Sequence, residues 1–182
     1  MRNNDDDIKI FHPKKKDGIA SDLTSLAGIM DKHRANGNIS KAGMLGEHLA
    51  DMTPEIICPD EAKKLSNNEL TQLRALMVFS AQIALHKYLP NTMLSTQSVN
   101  AMYAKIEQTS PGFFANISDG SSFSFYYLSV RKGENTEEEI GRNYAMLCDR
   151  DDNEFLIALG KEIYGKVEAK VMDLIENFCF EY

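Results

Sequence analysis

Between Asn67 and Pro90 the chain places Leu70, Leu73, Leu76, Met77, Ile83, Ala84 and Tyr88 at a period of about 3.6 residues, which is the repeat of an α-helix. Asn67 or Asn68 suits its start, and Pro90, unable to continue a helix, suits its end. Within it, Ala75 to Leu85 is apolar on nearly every side, interrupted only by Ser80 and Gln82. A helix of that kind has no face to give to water, so it must be surrounded. The rest of the chain has to supply the surrounding elements.

It does so with further helical patterns. Ser21 reads as a cap for Leu23, Leu26, Ala27 and Met30, closed by Asn36-Gly37, where glycine suits a left-handed end. Ser40 opens a second segment with Met44, Leu45, His48, Leu49 and Met52, stopped before Pro54. Pro59 to Leu65 allows one helical turn, and Val99, Met102, Tyr103 and Ile106 mark another helix, ended by Ser110-Pro111-Gly112. Thr136, with Glu137, Glu138 and Glu139 behind it, reads as an N-cap with a capping box and leads into Ile140, Tyr144 and Leu147. Asp152 or Asn153 begins the longest stripe: Phe155, Leu156, Leu159, Ile163, Val167, Val171, Leu174, Ile175 and Phe178.

Residues 113 to 133 admit two readings. Phe123, Phe125 and Tyr127 alternate as in a strand, while Phe123, Tyr126, Tyr127 and Val130 share a helical face that Ser121 or Ser122 would cap. No other segment reads as β, and a lone strand has nothing to pair with, so the helix is preferred. The expected architecture is an all-α, single-domain helical bundle of about six or seven helices with a long C-terminal amphipathic helix. Residues 1–20, which mix Lys14-Lys15-Lys16 with aspartates around Pro13 and Gly18, read as a flexible arm, leaving 21–182 as the helical domain.

Several classes of function are disfavoured. No apolar run approaches the ~20 residues of a membrane helix, and the polar, acidic first residues do not resemble a signal peptide, so a soluble cytoplasmic protein is expected. Cys58, Cys148 and Cys179 form no CxxC pair, which suits reduced thiols. The net charge is −7, and residues 133–182 carry 13 acids against 5 bases, a field that repels phosphate backbones. No nucleic acid and no membrane are expected as partners.

Nucleotide-binding, acyl-transfer and kinase signatures are missing, and no cofactor is implied. The acidic run Asp149 to Glu154 fails as a calcium loop, because Glu154 stands where glycine is required and Gly160 where a bidentate glutamate is required. His12, His33, His48 and His86 match no zinc spacing; a hydrolytic metal site would need Glu47 and His48 to meet acids between Glu137 and Asp152. Cys148, on the apolar stripe of a short helix, reads as a buried thiol.

The densest unusual feature is aromatic. Six of the chain's Phe and Tyr residues, Phe113, Phe114, Phe123, Phe125, Tyr126 and Tyr127, fall within residues 113–127, and Arg131 follows one turn later. The bland reading is core; the functional one is a pocket, with Phe113, Phe114, Phe123, Tyr126, Tyr127 and Arg131 as ligand-binding residues and Arg131 as an anion anchor. Two functions are therefore expected in order: a non-enzymatic protein that binds a protein partner or associates with itself through a helical face, and a small-molecule-binding bundle, conceivably an enzyme, with that aromatic pocket.

Overall fold

The computed structural model describes residues 16–181, and side chains over 25–181 apart from Pro54 and Pro59. Ten helical segments follow one another: α1 (Lys16–Ala35), α2 (Asn38–Ala50), α3 (Thr53–Ile56), α4 (Pro59–Ala62), α5 (Asn67–Tyr88), α6 (Thr92–Thr109), α7 (Pro111–Ser118), α8 (Ser121–Lys132), α9 (Thr136–Leu147) and α10 (Glu154–Phe178). No strand occurs among the described residues. The chain is an all-α bundle with the long amphipathic helix at its C-terminal end.

Helix α5 is the centre. It packs against α6, α8, α9 and α10, and its residues Ala75 to Ala81 are buried without a break. Ser80, the one polar member of that run, donates its hydroxyl to the Leu76 carbonyl at 2.7 Å, so nothing in it is left unpaired. Around it α2 lies on α6, and α10 lies on both α9 and α5. The α10 stripe buries Leu156, Leu159, Ile163, Val167, Val171 and Leu174, each worth roughly 1.5–3 kcal/mol of transfer from water. Phe155, expected on the stripe, is exposed.

Helix boundaries differ from the expected ones where capping chemistry decides them. Ser66, not Asn67 or Asn68, caps α5: its Oγ accepts from the Glu69 N–H, and the Glu69 carboxylate accepts from the Ser66 N–H at 2.7 Å. The capping box expected at Thr136 does not form; Asn135, with φ of 50°, precedes the helix and its carbonyl takes the Glu139 N–H. Helix α1 starts at Lys16 rather than Ser21, and residues 1–15 of the expected arm lie outside the described residues. Helix α6 starts at Thr92, capped by the Asn91 side chain, well ahead of Val99. Residues 113–133 form two helices rather than a strand, separated by Gly120 at φ of 69°. That turn resets the direction of the chain, so the alternation of Phe123, Phe125 and Tyr127 is wound into α8.

Two helix crossings depend on absent side chains. At α2 on α6, a Cβ on Gly46 would collide with the Ser98 carbonyl, and Ser98 Oγ donates to the Ala42 carbonyl at 2.8 Å across the same contact. At α9 on α10, a Cβ on Gly160 would lie 2.9 Å from Tyr144 Cβ, and one on Gly141 would strike the Ile157 carbonyl. Replacing Gly46 by Ala is expected to destabilise the protein by about 3 kcal/mol, the upper end for overpacking, because the obstacle is backbone. Urea denaturation checks it; an unchanged midpoint would mean that the helices part at no cost.

Candidate functional site

The aromatic residues of 113–131 separate into three groups. Phe123, Tyr126 and Tyr127 gather round Phe79 of α5, with ring centroids 5.6, 5.2 and 5.0 Å away. Phe123 and Tyr126 are buried there. The Tyr127 hydroxyl, at the edge, accepts from Gln82 Nε2 at 2.7 Å, and Gln82 Oε1 accepts from the Tyr103 hydroxyl at 2.9 Å. Burial pushes the Tyr103 hydroxyl up to about 12, so it stays a donor at neutral pH. Phe114 stands edge-on to Tyr103 with centroids 6.4 Å apart. Phe113 is buried beneath the guanidinium of Arg74, whose central carbon is 4.2 Å from the ring centroid. Arg131, in the last turn of α8, is exposed and forms no ion pair among the described residues. Phe125 is exposed as well.

Behind Tyr126 lies a buried polar cluster that the sequence did not point to. The Tyr144 hydroxyl donates to the Glu69 carbonyl at 3.1 Å, and Arg150 Nε lies 3.9 Å from the Glu69 carboxylate. The N–H of Ser66, chiefly, holds the Glu69 carboxyl below its ordinary value of 4.5. Burial pushes the Cys148 thiol up to about 11 and raises both Tyr126 and Tyr144, the neighbouring thiol adding to the effect. At neutral pH these groups keep their protons, so Cys148 is no thiolate nucleophile. The Tyr126 hydroxyl has no hydrogen-bond partner among the described residues.

The metal-site residues do not converge. His48 Nε2 lies 3.6 Å from Glu55 Oε1, and Glu55 is also paired with Lys170 at 2.8 Å. Among the described residues no three His, Cys, Asp or Glu side chains are grouped as ligands. Of the acids of 137–152, Glu138, Asp151 and Asp152 flank an open groove of about 820 Å³ between α9 and α10, where Lys161 pairs with Glu138 at 3.3 Å.

A second cavity has a different character. It measures about 520 Å³ and is walled by Thr53 of α3, Ile57, Ala62 of α4, and Asn67, Leu70, Thr71 and Arg74 on the first turns of α5. Its walls are mostly apolar and contain no acid. Sequence reasoning passed over it, although Arg74 stands out as a cation set between Leu73 and the apolar run that starts at Ala75.

The third feature is a surface. From Ser25 to Lys32 every side chain of α1 is exposed, including Leu26 (52%), Ile29 (39%) and Met30 (41%). Among its described side chains the helix is anchored towards its end, where His33 is buried with Asn38 Nδ2 at 3.0 Å from its Nδ1. Asn38 in turn exchanges hydrogen bonds with the backbone of Glu181, fastening the C-terminal segment to the start of α2. No protein-family model, curated protein or solved structure matches the chain.

Two predictions follow from the buried cluster. Tyr126→Phe is expected to stabilise the protein by about 1 kcal/mol, since it removes a buried hydroxyl with no bond among the described residues, whereas Tyr144→Phe costs about 1 kcal/mol by removing the buried bond to the Glu69 carbonyl. Thermal unfolding of the pair reads the opposite signs. Glu69 has a lowered folded value, so its contribution is full above about 4.5 and is lost as the pH falls through the folded value. Acid titration of stability is expected to show a smaller loss over that range in Glu69→Gln than in the parent; equal losses would remove Glu69 from the account.

Proposed function

We propose that this is a non-enzymatic, cytoplasmic helical protein that works by association, and that α1 is the element through which a second copy of the chain binds. The observation carrying the reading is the exposed stripe of Leu26, Ile29 and Met30 on a helix whose side chains are all exposed from Ser25 to Lys32. Exposed apolar side chains are ordinary when scattered, but three within five residues on one helix form a patch. Ile29 and Met30 follow Leu26 by three and four residues, so the three side chains lie on one face of the helix.

A second copy fits the patch because it presents the same apolar side chains, Leu26, Ile29 and Met30, to be covered in turn. A self-complementary patch of that kind generates a two-fold dimer. The cytoplasmic setting is supported by Cys58, Cys148 and Cys179, all of them free thiols.

Light scattering behind a sizing column tests it. The full chain is expected to run as a dimer at micromolar concentration, and Leu26→Asp combined with Met30→Asp is expected to run as a monomer with its helical content unchanged. A parent protein that stays monomeric up to the highest soluble concentration would end the proposal.

A further inference from the structure

The cavity beside Arg74 has the composition of a ligand site. It falls within the ~300–1,000 Å³ of small-molecule pockets, with mostly apolar walls and few polar groups. Ile57, Ala62 and Leu70 supply the apolar surface, and Thr53, Asn67 and Thr71 supply neutral polar atoms. Arg74 supplies the one charge among these lining residues.

The state of Arg74 narrows the ligand. It is half-buried, and it forms no ion pair among the described residues, where Lys87, Lys161, Lys166 and Lys170 each have a carboxylate. Its guanidinium carbon instead lies 4.2 Å from the centroid of the Phe113 ring, a cation–π contact that engages the charge without a carboxylate. A planar fork held in place at an apolar wall matches a carboxylate, which accepts two parallel N–H bonds. The chain as a whole is acidic, at −7, so an unpaired cation in a pocket free of acids is a local reversal of charge.

We propose that this cavity binds a small aliphatic monocarboxylate, with the carboxylate on Arg74 and the hydrocarbon against Ile57, Ala62 and Leu70. None of its described lining residues belongs to α1, so the site stands or falls separately from self-association.

The experiment is a titration of the full-length ¹⁵N-labelled protein with sodium octanoate, 1-octanol and octylamine, all below micelle-forming concentrations. Octanoate is expected to shift the amides of Ile57, Ala62, Leu70 and Thr71, and to bind roughly tenfold or more tightly than 1-octanol, the step expected for a hydrogen-bonded charge, with octylamine weaker still. Arg74→Met is expected to bring octanoate down to the level of 1-octanol, and Ala62→Phe, which fills the space while keeping the charge, to abolish both. The proposal is overturned if the three probes bind alike, if the shifts centre elsewhere, or if Arg74→Met keeps the preference for octanoate. The three-probe comparison on the unaltered chain decides the matter even if a variant fails to fold.

Discussion

The burial of α5 on all sides is the constraint from which the remaining architecture follows. From Ala75 to Ala81 every side chain is withdrawn from water, and Phe79 forms the hub on which Phe123, Tyr126 and Tyr127 converge. An element with no polar face cannot be stable at a surface, so α6, α8, α9 and α10 are required as a sheath. Each of those helices has a wet side, and their amphipathic character is the complement of the central one. The aromatic residues of α8 are therefore explained first as packing: three of them are the far side of contacts that α5 demands.

Close helix crossings convert that sheath into a defined arrangement. Gly46, Gly141 and Gly160 let backbones approach to distances that a single methyl group would prevent. Small polar side chains then exploit the proximity, as Ser98 does when it donates across to the Ala42 carbonyl. Hydrophobic burial is indifferent to which helix lies where, whereas a missing Cβ and a buried hydrogen bond are satisfied in one register only. The tie between Asn38 and the Glu181 backbone does the same for the C-terminal segment.

The helices were legible wherever apolar residues recur, as in α5 and α10, because the repeat is a direct image of one buried face. It failed where the buried face is polar or empty. The first two turns of α6 bury Ser95 and Ser98, and those serines hid the helix upstream of Val99. Capping was misjudged at Thr136 because Asn135 takes a left-handed conformation that places it, rather than the threonine, at the helix start. The aromatic cluster was visible as composition, yet its division among Phe79, Tyr103 and Arg74 depends on the turn at Gly120 and on partners from α5 and α6. Tyr144 and Cys148 stand one helical turn apart, but Glu69 lies 75 residues before Tyr144 and no spacing links it to them, so the cluster could only appear in three dimensions.

Where the rules that organise the rest are broken, function has room to act. Two lysines at other helix contacts are paired with carboxylates: Lys87 with Glu168 at 2.7 Å, Lys170 with Glu55 at 2.8 Å. Arg74 is the departure, a cation balanced by an aromatic face and facing an apolar cavity. Helix α1 is the opposite departure, with apolar side chains on an element that lies outside the core. Neither arises from packing demands, since α5 is fully sheathed without α1 and Phe113 could be covered by an uncharged side chain at lower desolvation cost. A carboxylate bound at one and a matching helix at the other would each stabilise the folded chain by mass action, since neither partner finds its site in the unfolded one.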